Sequence, residues 1–282
     1  MCFVKFIMEG LMLKKSLYLI GIVSCFLLFS SYAQAEVDAE VAYILNTFSF
    51  LVCGFLVMWM AAGFLFLESG LVTTRSVSTI AAKNIGKFAI VSIVFYLFGY
   101  NLGYGVEEGG ILGFPSLWTD NTSMDTGYSD ASDWFFQALF VCATVSIVSG
   151  AVAERIKIWP FFVFAAILGG FIYPIQMGWE WGGGWLDVLG FSDFAGSTLV
   201  HACGGSAALA GVILLGPRLG RFTESGEPAN MAPFAPSSIP LVTLGTFILW
   251  MGWYGFNGGS QLALGSYEDA TAMSQIFMNT QL

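Results

Sequence analysis

With 282 residues, 56% of them hydrophobic and 10% charged against about 25% in a soluble domain, the chain reads as a polytopic membrane protein. Ten basic residues and a net charge of −9 leave no footprint for nucleic acid. Five cysteines without CxxC spacing, one histidine, and no phosphate loop, dinucleotide fingerprint or nucleophile beside a base argue against a metal site, a cofactor and an enzyme.

The first segment reads as a secretory signal peptide over residues 1–35. Lys14 and Lys15 precede an apolar stretch from Leu17 to Phe29, and Ala33-Gln34-Ala35 is a small-residue cleavage site. Met12 opens this pattern better than Met1, so translation is expected to start there. Residues 36–282 then form one membrane domain.

Six apolar segments follow, at Ala42 to Leu67, Ile85 to Tyr104, Phe135 to Val152, Ile158 to Met177, Ala195 to Gly216 and Ile239 to Phe256. A seventh begins near Ala270. Outside the leader the basic residues are Arg75, Lys83, Lys87, Arg155, Lys157, Arg218 and Arg221, each falling after the first, third or fifth segment. Those connectors are expected in the cytoplasm. The intervening connectors carry acids, among them Glu107, Asp133, Glu180, Asp187, Asp193 and Glu268, and no lysine or arginine. The mature N-terminus is therefore expected outside a plasma or inner membrane. In the fifth segment Gly204, Ala208 and Val212 form one row of small side chains, and Ala207 with Gly211 another, which lets neighbouring backbones approach closely.

His201 is the only histidine and lies inside the fifth apolar run. An ionisable group at such a depth marks a partner, a bundle interior or a water-accessible cavity. It is either a structural histidine bonded to a neighbouring helix or a functional one. Burial favours the neutral imidazole, which both donates and accepts and suits a small neutral polar molecule. Asp193 lies eight residues earlier, about 12 Å by helical rise, and reads either as a helix N-cap or as an attractor of a cation. Trp181 reads either as part of an interfacial tryptophan belt or as a ring face offered to a cation. Phe140 and Phe256, two of 27 phenylalanines, read individually as packing.

The run from Asp193 through Phe194, Ala195 and Gly196 to His201 resembles the signature of the Amt/Mep/Rh ammonium transporters, D-F-A-G followed four residues later by H. Three further stretches resemble that family in the same order: Phe136 to Phe140 ending in Gly150-Ala151-Val152-Ala153-Glu154-Arg155, Trp181-Gly182-Gly183-Gly184, and Gly252 to Ser260. The resemblance covers residues 42 to 282, and Trp181 with Ser260 places it nearer the Amt branch than the Rh branch.

The resemblance implies an all-α membrane bundle of two inverted five-helix repeats plus an extra helix, of which this chain holds the first repeat, the sixth helix and the start of a seventh. It implies an external ammonium site at Phe140, Trp181 and Ser260, with Asp193 beneath it. Phe140 and Phe256 correspond to the rings closing the outer pore, and His201 to the first of two pore-lining histidines. It also implies a homotrimer in the lipid bilayer, passage of ammonium as ammonia, and in several members a cytoplasmic PII-type regulator. A chain ending at Leu282 inside an apolar stretch leaves carbonyls unsatisfied in hydrocarbon, so a truncated reading of a longer gene is expected. The alternative is an ammonium-sensing or non-conducting membrane subunit.

Overall fold

The computed structural model describes residues 37–230 and 234–282. The expected signal peptide, its cleavage after Ala35 and the start at Met12 lie outside the described residues. The description below concerns the compact unit Ala39–Leu282.

Six helices are long and apolar enough to cross a membrane: α1 (Ala39–Leu71), α2 (Thr74–Tyr104), α3 (Asp130–Ala151), α4 (Ile158–Gly178), α5 (Ser197–Leu215) and α6 (Ile239–Gly259). They match the six segments read from the sequence. The seventh segment is a helix as well, α7 (Tyr267–Gln281), starting three residues before Ala270. No strand occurs among the described residues, only an isolated bridge between Phe222 and Pro228.

Local chemistry sets the helix ends. Ser238 caps α6 by accepting from the Leu241 N–H, with Pro240 in the first turn where its missing N–H costs nothing. Ser266 and Asp269 cap α7 reciprocally, the Ser266 hydroxyl accepting from the Asp269 N–H and donating to its carboxylate. In α4 a wide π turn at Leu168–Ile172 precedes Pro174, a residue that cannot continue an i to i−4 ladder.

Packing is organised on α3, whose span is 72% buried against 22% for α5 and α6. Small residues bring the backbones together. A side chain at Gly245 would lie 2.4 Å from the Leu67 nitrogen, and one at Gly255 2.4 Å from the Cys53 carbonyl, so α6 runs antiparallel along α1 in backbone contact. Gly204 places α5 against the Thr144 carbonyl of α3, as its small-residue row leads one to expect.

Alternate connectors meet at opposite ends. At one end Glu154, between α3 and α4, accepts from the Thr73 N–H and pairs with Arg218 beyond α5. At the other, Asn46 donates to the Gly127 carbonyl and accepts from the Leu264 N–H, and Gly109 bonds the Gly183 carbonyl. The basic connectors thus share one end and the acidic connectors the other.

The second helix begins eleven residues earlier than Ile85. That corrects the placement of Lys83 and Lys87 in a connector, since both lie within α2 and are almost wholly buried. Glu68 of α1 explains them. Its carboxylate stands 3.1 Å from Lys83 and 3.6 Å from Lys87, and accepts from Ser149 of α3 at 2.8 Å. Charges lower a hydropathy window, so composition opened the segment at Ile85, between the two lysines. Glu68 also lines a cavity of about 480 Å³ at the basic end with Ser146, Arg155 and Arg218.

Candidate functional site

The site forms where α3, α6, the α4–α5 connector and the start of α5 converge. Phe140 of α3 and Phe256 of α6 stack face to face, with centroids 3.8 Å apart and planes 6° from parallel. Neither is more than 1% exposed. Phe136, one turn before Phe140, contacts it at 4.6 Å and fills the space left by Gly259, which fixes α3 against α6. Such ring pairs contribute about 0.5–1.5 kcal/mol each beyond area burial.

On one side of the stack lies Trp181, 5.9 Å from the Phe140 ring. On the other lies His201, whose ring meets Phe256 edge-on at 5.5 Å. Trp253, three residues before Phe256 and so on the same face of α6, flanks His201 at 6.1 Å. Four of the residues singled out in the sequence, Trp181, Phe140, Phe256 and His201, therefore form one continuous row of rings. Trp253 was missed, although its spacing from Phe256 could have revealed it.

Asp193 organises the entry to α5. Its Oδ1 accepts from the N–H groups of Gly196 and Ser197, and its Oδ2 from those of Thr198 and Leu199, all at 2.8–2.9 Å. These four bonds fill the acceptor positions of a carboxylate. Asp193 thus caps, from the loop ahead of the N-cap residue Gly196, a helix start that would otherwise leave four donors orphaned. The helix begins at Ser197 and not at Asp193. His201 accordingly lies four residues into the helix, about 6 Å and not 12 Å from its start.

The first turn of α5 is a wide one. The Gly196 carbonyl accepts from the N–H groups of Val200 and His201, and the His201 Nδ1 lies 3.1 Å from the same oxygen. A carbonyl only accepts, so Nδ1 carries the proton and, in the neutral ring, Nε2 is the acceptor. Gly196 sits at φ +93°, and a side chain there would press on both Val200 and the Trp181 ring.

The dipeptide Glu180-Trp181 grips Asp193 from both sides. Trp181 donates its indole N–H to the Asp193 carbonyl at 2.7 Å, and Glu180 accepts the Asp193 N–H at 3.0 Å. Burial, with Asp193 and Asp187 nearby, pushes the Glu180 carboxyl up to about 7 although the Asp193 N–H opposes the shift. Ser260 is the C-cap residue of α6. It is buried at the end of α6, and its hydroxyl donates to the Phe256 carbonyl at 2.8 Å.

Comparison with known proteins points to one family. The model of the Ammonium Transporter Family matches residues 48–282. A putative ammonium transporter of Synechocystis is 42% identical over 272 residues, 94% of this chain and 60% of the relative. Ammonium transporter Amt2 of Archaeoglobus fulgidus is 42% identical over 223 residues, 76% of this chain and 47% of the relative. Among solved structures, one described as a sensor Amt protein superposes with a TM-score of 0.77 at 32% identity, covering 86% of this chain and 60% of that one. Candida albicans Mep2 superposes at 0.67 with 28% identity, over 81% of this chain and 51% of that one. The chain spans about half to 60% of the length of these proteins. On sequence and structure together, this chain belongs to the ammonium transporter family.

Proposed function

We propose that this chain is the ammonium-recruiting half of an ammonium transporter, taking the ion at its acidic end and passing ammonia past His201. The observation that carries the reading is the Phe140–Phe256 stack, set between Trp181 on one side and His201 on the other. An ion leaving water needs substitutes for its hydration shell. The Trp181 and Phe140 ring faces supply about 0.5–2 kcal/mol each by cation–π attraction. Asp193 contributes charge through space, its oxygens being held by the backbone. Ser260 completes the site as a hydroxyl one turn beyond Phe256.

Two stacked phenyl rings cannot solvate a cation, whereas neutral ammonia crosses them at much lower cost. Potassium resembles ammonium in size but has no proton to lose, so the same barrier provides selectivity. Beyond the rings, Nε2 of His201 accepts a hydrogen bond from ammonia. The acidic end faces outward in a plasma or inner membrane, and the subunit assembles as a homotrimer with a cytoplasmic PII-type regulator as partner. Methylammonium uptake by the full-length protein, in cells lacking other transporters, tests this. Saturable uptake competed by ammonium and reduced by His201→Ala supports it.

A second reading, an ammonium sensor, is favoured by the likeness to the sensor Amt protein. A sensor retains binding at Trp181 without accumulating methylammonium.

A further inference from the structure

Of the acidic groups at the mouth of the site, Glu180 stands out. It is 8% exposed, its Oε1 holds the Asp193 N–H, and its Oε2 is buried with no hydrogen-bond partner. We propose that Glu180 is a positioning residue for the external cation site, clamping Asp193 through Oε1 and setting the affinity for ammonium by its own charge. This inference rests on the reading of Trp181 and Phe140 as the ammonium site.

The geometry gives Glu180 two separate effects. Together with the Trp181 indole it fixes the Asp193 peptide at both its N–H and its C=O, and Asp193 in turn caps the helix that carries His201. It also sits next in sequence to the ring that faces the ion. Residues 179–196 contain no lysine or arginine. The charged groups acting on Glu180 are Asp193, leading into α5, and Asp187, in the short helical turn Trp185–Val188. From α4, the buried Tyr173 hydroxyl lies within electrostatic reach of Asp193, and the connector after α2 contributes Glu107 and Glu108 in the segment whose Gly109 bonds Gly183. All of these are anionic or neutral, so among the described residues nothing opposite in sign stabilises the Glu180 carboxylate. A bound ammonium ion supplies that missing positive charge. Cation binding and loss of the Glu180 proton therefore favour each other, a reciprocal linkage. The ordinary titration of Glu180, raised to about 7, puts the coupling near neutral pH.

The test is ammonium chloride binding to the detergent-purified full-length protein by calorimetry between about pH 5 and pH 8, a range in which ammonium keeps its charge. The wild type is expected to bind about tenfold more tightly at the alkaline end than at the acid end. Glu180→Gln keeps an oxygen for the Asp193 N–H but carries no charge, and is expected to bind weakly with little pH dependence. Glu180→Asp restores the charge and recovers a sloping profile. A wild-type affinity that does not change with pH, or a Gln variant with the wild-type slope, overturns the inference while leaving the ammonium site intact. Absence of ammonium binding at every pH overturns the site itself and the inference with it. Should the Gln variant fail to fold, the wild-type profile and the Asp variant decide.

Discussion

The rings of Phe140 and Phe256 lie 3.8 Å apart and within 6° of parallel, although the two residues are more than 100 positions apart in the chain. The stack closes the gap between α3 and α6 at one level of the bundle. Phe256→Ala removes the contact with Phe140 and the contact with His201 together. It is expected to cost about 3–5 kcal/mol of stability and to let water and potassium reach His201. Potassium flux into vesicles loaded with a potassium-sensitive dye checks this, and tight vesicles with the Ala variant would count against the ring barrier.

Trp181 has two separable parts, a ring against Phe140 and an N–H bonded to the Asp193 carbonyl. Trp181→Phe keeps an aromatic face and loses the bond, which costs about 1 kcal/mol. Ammonium affinity is expected to fall several-fold, whereas Trp181→Ala, losing both parts, weakens it further. Equal losses in the two variants would show that the ring contributes nothing.

The cluster of Glu68, Lys83 and Lys87 is buried among α1, α2 and α3. Glu68→Gln leaves two lysines without their counter-charge, and removing one partner of a buried pair costs about 3–5 kcal/mol. Lys83→Met leaves Glu68 paired with Lys87 and is expected to cost less. Thermal melts of the two variants in detergent give the order, and a Gln variant as stable as the wild type contradicts it.

Two carboxylates outside the spans respond to pH with opposite sign. For Glu154, burial alone would raise the carboxyl, but hydrogen bonds from Thr73 and Ser76 and the bond from Arg218 outweigh it and hold the group down at about 2. Its contribution is present above the ordinary carboxylate range and is lost as pH falls toward 2. Glu180, raised to about 7, contributes most in acid, and that contribution is lost as pH rises from the ordinary range through about 7. Glu180→Gln is therefore expected to raise the melting temperature at alkaline pH more than at acid pH, and Glu154→Gln to lower it at neutral pH. Melting curves across pH check both signs.

Much of the bundle was legible because a bilayer demands long apolar runs, and all six appear as helices. The capping role of Asp193 was one of two readings that its position before an apolar run allowed. The row of rings was not legible from composition, since Phe140 and Phe256 are two among 27 phenylalanines and only the family resemblance paired them. Lys83 and Lys87 were misplaced because hydropathy scores a residue without its partner, and Glu68 lies in a different helix. The distance of His201 from the start of its helix was overestimated because a loop residue's carboxylate, and not a continuous helix, links Asp193 to α5. Glu180 escaped notice for a related reason, since its partner is a backbone N–H that leaves no mark in the sequence.

The most direct test of the central claim is labelled methylammonium uptake into proteoliposomes containing the full-length protein, with His201→Ala beside the wild type. The account predicts time-dependent accumulation in the wild type, competed by ammonium and not by potassium, and strongly reduced in the variant. Binding without accumulation would contradict transport and favour a sensor, and uptake unchanged by His201→Ala would contradict the path past the Phe140–Phe256 stack.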